Sequence, residues 1–168
     1  KLCDVSLELL TKARSLAQTL NCDLEALLIG YNVENLQNEL YQYGVKTIHL
    51  ADDKQLEFFR TLPYASIAIS LFKLEQPQIA LFGATCIGRD LAPRISSALH
   101  SGLTADCTSL EIGDHQDAKG NKWENLLYQI RPAFGGNIIA TIVNPDHRPQ
   151  MATVREGVMK KEALEVPV

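Results

Sequence analysis

Short apolar runs alternate with segments of helical periodicity through roughly the first hundred residues of this chain. The helical segments repeat apolar residues at intervals of three and four, whereas the runs between them have the length of buried strands. Parallel strands joined by right-handed helical crossovers bury both faces of such a sheet. We therefore predict an α/β fold with a mostly parallel sheet flanked by helices. The predicted helices cover residues 5–20, 33–43, 63–75 and 90–100, and the predicted strands cover residues 23–30, 46–51 and 78–82.

Residues with cap and turn preferences mark the ends of these segments. Asp4 is the predicted N-cap of the first helix, and Asn21 follows its last turn. Gly44 is placed to end the second helix. Asp90 is the predicted N-cap of the fourth helix, which puts Pro93 in the first turn, where proline is tolerated.

The pattern changes to strands and turns after Gly102. Polar or glycine-rich turns separate the strand-like segments, so we expect them to be later and partly antiparallel additions to the sheet. The polar stretch 113–122 is predicted to be a hairpin connection, not a linker between domains. The additional strands are predicted over residues 105–112, 126–131, 138–143 and 151–155.

The composition describes one globular domain without a nucleic-acid footprint. The 168 residues are 46% hydrophobic and 21% charged, and the formal net charge is −4. This balance argues against disorder, and the acidic excess gives no basic surface for nucleic acid. No apolar run approaches the roughly 20 residues that span a bilayer, so we expect no direct membrane insertion.

The four cysteines show no metal-binding or disulfide pattern. None of them forms a C-x-x-C pair, and the default is therefore free thiols in a reducing, cytoplasmic compartment. Cys86 and Cys107 are expected to be buried structural thiols.

The first candidate site follows a predicted buried strand, in the segment 83–90. Gly83 and Gly88 give it the G-x-x-x-x-G frame of a phosphate loop, but Arg89 and Asp90 stand where that loop needs Lys and Ser or Thr. A carboxylate there argues against nucleotide hydrolysis. The segment is either a tight turn between strand and helix or a cofactor or partner surface, with Gly83, Thr85 and Arg89 as the candidate residues.

The second candidate site lies between two predicted strands, in the segment 131–137. Paired glycines allow close approach of a planar or phosphorylated ligand, an arginine offers a fixed charge, and a phenylalanine offers an apolar face. The alternative is a wide hairpin whose phenylalanine covers the core. The candidate cofactor-binding residues are Arg131, Pro132, Phe134, Gly135, Gly136 and Asn137.

No residue pattern indicates catalysis or a metal centre. His147 lies on a predicted polar turn, where a histidine is usually solvated. Asp114, His115 and Asp117 occupy the most polar loop and lack further partners at ligand spacing. No nucleophile and base pair is evident, so we do not expect an enzyme.

Four segments of the second half, taken in order, resemble the alpha subunits of the electron transfer flavoprotein family. They are GATCIGRDLAPR at 83–94, GLTADCTSLEI at 102–112, RPAFGGNIIATIV at 131–143 and HRPQMATVREGVM at 147–159. The resemblance implies the adenine-nucleotide α-hydrolase-like fold and an electron carrier. It also implies that residues 1–168 correspond to the amino-terminal domain of that subunit, without the family's first strand and its carboxyl-terminal FAD domain.

The resemblance further implies a heterodimer. In that family the beta subunit holds AMP or, in electron-bifurcating members, a second FAD, and acyl-CoA or similar dehydrogenases exchange electrons with the complex, as in fatty acid oxidation. FAD is therefore expected in the complete heterodimer and not on this chain alone. The location implied is the bacterial cytoplasm.

The resemblance also suggests roles for the two candidate sites. Residues 131–137 are expected to approach a flavin held by the beta subunit, with Arg131 near the isoalloxazine, where a cation stabilises the anionic reduced form. Residues 83–89 are candidates for the same interface, and residues 150–159 for a subunit contact and core strand. The alternative function is a universal-stress-type sensor module that binds ATP or AMP within one chain.

Overall fold

The computed structural model describes residues 1–133, 135 and 138–165, and it has the predicted mixed α/β architecture. Parallel strands are flanked by helices, and an antiparallel sheet is added in the second half of the chain. No helix within these residues is long and apolar enough to cross a bilayer.

The helices occur in the order that the sequence predicts. A 3₁₀ turn at Glu34–Leu36 precedes the second helix, which is shorter than the predicted segment 33–43. The helices are α1 at Asp4–Leu20, α2 at Gln37–Tyr41, α3 at Thr61–Glu75 and α4 at Cys86–Leu99.

The eight strands of the described residues form three hydrogen-bonded groups. β1 pairs in parallel with β2, β8 lies in parallel between β3 and β4, and β6 lies antiparallel between β5 and β7. The strands are β1 at Glu25–Gly30, β2 at Thr47–Asp52, β3 at Ile79–Gly83, β4 at Leu103–Cys107, β5 at Ser109–Gln116, β6 at Lys122–Ala133, β7 at Ile138–Ile142 and β8 at Gln150–Val154.

The position of β8 corrects one sequence-based expectation. The segment 151–155 was expected to belong to the later additions, but all five residues of β8 are buried between β3 and β4. The reason is that the antiparallel strands β5 to β7, and not a helix, connect β4 to β8. The alternation of strands and helices that identifies β1 to β3 is therefore missing where β8 enters the sheet.

The predicted start of α4 is also wrong. The helix begins at Cys86, and the Thr85 hydroxyl, not Asp90, caps it by accepting a hydrogen bond from the Gly88 amide at 3.0 Å. Asp90 lies inside the helix and accepts a hydrogen bond from the Thr61 hydroxyl on α3. Pro93 consequently lies in the middle of α4 and not in its first turn.

A smaller correction applies to α1. Asp4 is its first helical residue and not its N-cap, because Cys3 occupies that position without a side-chain hydrogen bond. The Asp4 carboxylate instead pairs with Lys161 at 2.9 Å. Asn21 ends the helix in the left-handed conformation (φ 51°), as its place beyond the last turn suggests.

The largest side chains of the core pack around β8. Met151, on one face of this strand, contacts the apolar cluster between α3 and α4, whereas Ala152 and Val154 contact the cluster beneath α1. Leu110 and Leu127 extend that second cluster into the antiparallel sheet and are completely buried. Apolar side chains of the parallel strands and of the antiparallel sheet therefore pack in one cluster at the junction of β4 and β5.

Candidate functional site

The strands β3, β8 and β4 are parallel, so their carboxyl ends meet at one edge of the sheet, at Gly83, Val154 and Cys107. Open α/β sheets generally bind ligands at this edge. Arg89 in the first turn of α4, Asp106 at the end of β4 and Arg155 immediately after β8 all lie there.

Arg89 is held in place at two points of its guanidinium. Its Nε donates a hydrogen bond to the Ala84 carbonyl at 2.8 Å, and its Nη2 donates to Asp106 at 3.1 Å. The side chain is nevertheless 57% exposed. A guanidinium fixed in this way offers its remaining N–H groups to solvent in a constant direction.

Asp106 owes its position to an irregularity of β4. The pairing with β8 shifts between Thr104 and Cys107, and Asp106 adopts a left-handed backbone conformation with φ 61°. Its backbone amide donates to the Thr153 hydroxyl at 2.8 Å instead of to a strand carbonyl. Such a bulge re-aims a side chain, and here it directs the carboxylate toward the edge.

Arg155 completes the arrangement from the other side. Its Nη2 donates to Asp106 Oδ2 at 2.7 Å, and its Nε approaches Asp106 Oδ1 at 3.4 Å. The Arg155 side chain is 49% exposed, whereas that of Asp106 is only 18% exposed. One largely covered carboxylate thus holds two half-exposed guanidinium groups.

Electrostatics connect Arg131 to the same carboxylate. The pKa of Asp106 lies below its ordinary value, first because Arg155 donates a hydrogen bond to it, and further because of the positive charges of Arg155, Arg89 and Arg131, while burial acts in the opposite direction. We call these four residues the arginine cluster. Three guanidinium groups against one carboxylate leave the cluster with a net charge of +2, although the whole chain is acidic.

The structure corrects the expected context of the second candidate segment. Arg131 and Pro132 do not lie in a loop but in β6, where they pair with Ala140 and Ile139 of β7. Gly135 is exposed and has a φ of +73°, a conformation that favours glycine. The other predicted ligands of this segment lie outside the described residues: Phe134, Gly136 and Asn137.

Gly83 and Thr85 have clear structural roles in the turn before α4. Thr85 caps the helix, and Gly83 lies against Val5 of α1, whose methyl group would be 2.6 Å from an added Cβ. Their contact with a cofactor stays a prediction, as does that of Arg89, Arg131, Pro132 and Gly135.

Sequence reasoning missed Asp106 and Arg155. Both lie within the segments that carry the family resemblance, and a charged residue inside the apolar strand 103–107 is the signal that could have identified Asp106. Arg155 is separated from Asp106 by the whole antiparallel sheet, so its partner is visible only in the fold.

The structure confirms the predicted burial of one of the two thiols, Cys107, but not of the other, Cys86. Cys107 is buried, and burial raises the pKa of its thiol to about 11. Cys86 is exposed, which corrects the prediction that it is buried, because it forms the first residue of α4 at the surface. His147 is exposed, and among the described residues no group of three or more metal-ligating side chains occurs.

Known proteins resemble this chain along nearly its whole length. Residues 1–166 match the family model of the electron transfer flavoprotein domain. The electron transfer flavoprotein subunit alpha of Thermoanaerobacterium thermosaccharolyticum is 48% identical over 161 residues, which is 96% of this chain and 46% of that protein.

Two further relatives carry names of particular electron-transfer complexes. The acryloyl-CoA reductase electron transfer subunit beta of Anaerotignum propionicum is 39% identical, with 96% of this chain and 48% of that protein covered. The lactate dehydrogenase (NAD(+),ferredoxin) subunit LctC of Acetobacterium woodii is 43% identical, with 92% of this chain and 35% of that protein covered. The chain thus spans less than half the length of the relatives it matches. Since the family model matches almost every residue, the chain belongs to the electron transfer flavoprotein family.

Proposed function

We propose that residues 1–168 form the amino-terminal domain of an electron transfer flavoprotein alpha subunit, which packs on a beta subunit and presents its arginine cluster to a flavin or adenine nucleotide held there. The domain then positions a cofactor and tunes it electrostatically. The bond-making reactions belong to the dehydrogenases that exchange electrons with the complex.

The arginine cluster is the observation that carries this proposal. It concentrates a charge of +2 at the sheet edge where α/β folds bind ligands. Guanidinium groups suit phosphate oxygens and the anionic reduced flavin ring, and they repel cations. The donor set of Arg89, Arg131 and Arg155 therefore fits FAD or an adenine nucleotide.

An apolar surface beside the cluster supports packing against another subunit. Ile138 and Ile139 of β7 are 55% and 72% exposed, and Ile139 pairs with Pro132 next to Arg131. Large apolar side chains at a sheet edge are usually covered by a partner. A beta subunit seated on β7 would bring its cofactor close to Arg131.

FAD supplies transfer of single electrons and of electron pairs when it is bound in the complete heterodimer. The residues of this chain have simpler tasks. Arg131 holds a fixed positive charge next to the cofactor, and Asp106 orients the neighbouring guanidinium groups of Arg89 and Arg155.

The electron-exchanging partners are proposed from the names of the relatives. One relative is named for acryloyl-CoA reductase and another for a lactate dehydrogenase that uses NAD⁺ and ferredoxin. We infer that an acyl-CoA dehydrogenase or a similar dehydrogenase is the partner here. The exposed free thiols of Cys3, Cys22 and Cys86 suit a reducing cytoplasm.

The alternative, a universal-stress-type sensor of ATP or AMP, is not favoured. The family match covers residues 1–166, and Arg89 and Asp90 follow the glycine frame where a phosphate loop needs other residues. Asp90 is moreover engaged with Thr61 of α3.

Replacing Arg131 tests the proposal in the complete heterodimer. We expect Arg131→Gln to lower the midpoint potential of the flavin at the subunit interface, because a cation near the ring favours the reduced, anionic form. Arg94→Gln is the matched control, since Arg94 is 54% exposed on α4 and pairs only weakly with Asp90 at 3.9 Å. Spectroelectrochemical titration measures both variants, and equal potentials in the two would remove Arg131 from the flavin site.

A further inference from the structure

We propose that Asp106 is a positioning residue that sets Arg89 and Arg155 as a paired receptor for a phosphate group of the nucleotide held by the partner subunit. This inference rests on the proposed function and extends it, because it separates a phosphate contact of Arg89 and Arg155 from the ring contact assigned to Arg131. Asp106 and Arg155 were not among the candidates that the sequence suggested.

The geometry of the two guanidinium groups carries the first step. Arg89 uses Nε for the Ala84 carbonyl and Nη2 for Asp106, while Arg155 uses Nη2 and Nε for Asp106. None of these hydrogen bonds uses the Nη1 group of either arginine. Within the part of the chain that the structure describes, neither Nη1 group donates to a protein acceptor. Each arginine therefore keeps N–H donors for a ligand after it has been fixed.

The position of Asp106 carries the second step. A left-handed backbone is unfavourable at a non-glycine residue, and the bulge also diverts the Asp106 amide to the Thr153 hydroxyl. The strands on both sides hold Asp106 in this conformation, since β4 ends at Cys107 and β5 begins at Ser109. Asp106 is thus a rigid anchor, whereas the arginines alone would be mobile surface side chains.

A phosphate fits this receptor better than a carboxylate of the partner protein. Arg89 reaches Asp106 Oδ1 from α4, and Arg155 reaches Oδ2 and, at a longer distance, Oδ1 from the end of β8, so an anion in front of them can accept from both arginines. A phosphate group offers several oxygens in a tetrahedral arrangement, which matches donors from two directions. Carboxylates of the beta subunit are the rival occupant that the experiment tests.

The inference is tested by comparing the affinities of the apo-heterodimer for ligands with and without phosphate. Flavin and nucleotide are removed from the complete heterodimer, and AMP is compared with adenosine, and FAD with riboflavin, by calorimetry and flavin fluorescence. We expect Asp106→Asn and Arg155→Lys each to lower the affinity for the phosphorylated ligand, AMP or FAD, that this complex holds in the beta subunit. The expected loss is about tenfold, because the arginine side chains are then no longer preorganised. Adenosine and riboflavin should bind as they do to the unaltered protein.

Whether Asp106→Asn raises or lowers the affinity for the anion distinguishes a positioning role of Asp106 from a purely electrostatic one. Removing a negative charge beside an anion site should tighten anion binding, whereas releasing Arg89 and Arg155 should weaken it. Arg155→Lys keeps the charge and loses only the fork geometry. Asp90→Asn is the control, because Asp90 is another carboxylate of this surface and pairs with Arg94 instead of with the cluster.

Several results would overturn the inference. Tighter or unchanged binding of AMP and FAD in Asp106→Asn would show that Asp106 does not position the receptor, and equal weakening of adenosine or riboflavin would show that phosphate is not recognised. Weaker association of the two subunits with unchanged ligand affinity would assign the receptor to a carboxylate of the partner. If Arg131→Gln still shifts the flavin potential in these cases, the proposed function stands and only the phosphate contact fails.

Discussion

Asp106 combines a left-handed backbone, a largely covered carboxylate and two guanidinium partners. Apolar periodicity reports none of these, because it describes which face of a strand is buried and not where a single carboxylate points. Arg131 was identified from sequence because it stands beside glycines and proline in one continuous segment. The contacts of Asp106 with Arg89 and Arg155 could not be identified in that way, since these three residues come from β4, α4 and the end of β8, far apart in the chain.

The linkage of Asp106 to Arg155 predicts a pH dependence of stability. The folded-state pKa of Asp106 is lowered from 3.8 by the hydrogen bond from Arg155, so its stabilisation is complete above 3.8 and is lost as the pH falls through the lowered value. Between about pH 5 and about pH 2.5, the free energy of unfolding should therefore fall more steeply in the unaltered chain than in Asp106→Asn. Urea titrations at several pH values measure this, and parallel curves for the two proteins would contradict it.

The start of helix α4 depends on the close approach of Gly88 to the Gly83 carbonyl oxygen. The sequence predicts the apolar face and the end of α4 correctly, but not its start, because the glycine frame places Gly88 in the preceding turn. Gly88 lies in the first turn of α4 directly against the Gly83 carbonyl oxygen, and an added Cβ would overlap that oxygen. The glycine lets α4 begin immediately after β3, and this brings Arg89 to the sheet edge. Periodicity cannot detect a contact of this kind, since glycine contributes no apolar side chain.

Gly88→Ala is expected to destabilise the fold by about 3 kcal/mol, because backbone atoms of β3 or α4 must move to relieve the overlap. In a helix without such a contact, the same exchange stabilises by about 1 kcal/mol, so the sign of the change is informative. Gly157→Ala serves as a control, since an added Cβ there meets nothing within 4 Å and the cost of about 1 kcal/mol comes only from its positive φ. Chemical denaturation of both variants measures the difference, and a stabilised Gly88→Ala protein would refute the close approach.

The sheet as a whole was predicted more completely than its strand order. Alternating strands and helices identify the parallel part, and the polar segments identify the hairpins of β5 to β7. The order β3, β8, β4 could not be predicted, because a five-residue buried strand without a preceding helix has the same pattern whether it is central or peripheral. The central place of β8 brings Arg155 beside Asp106.

At the scale of the molecule, the domain is acidic overall and presents a local positive cluster next to the exposed isoleucines of β7. Two surface depressions beside α1 are lined by other residues than the four of the cluster. An open cluster with an apolar neighbour is suited to completing a cofactor site on another subunit. We therefore propose that the cofactor binds to the assembled heterodimer and not to this chain alone.

Calorimetric titration of the purified chain with FAD, AMP and ATP tests whether the cofactor binds only to the assembled heterodimer. The titration is repeated after the beta subunit and the remainder of the alpha subunit have been added. We expect no measurable heat of binding with the chain alone and tight binding of FAD by the assembled heterodimer. Tight binding of AMP, ATP or FAD by the isolated chain would contradict it.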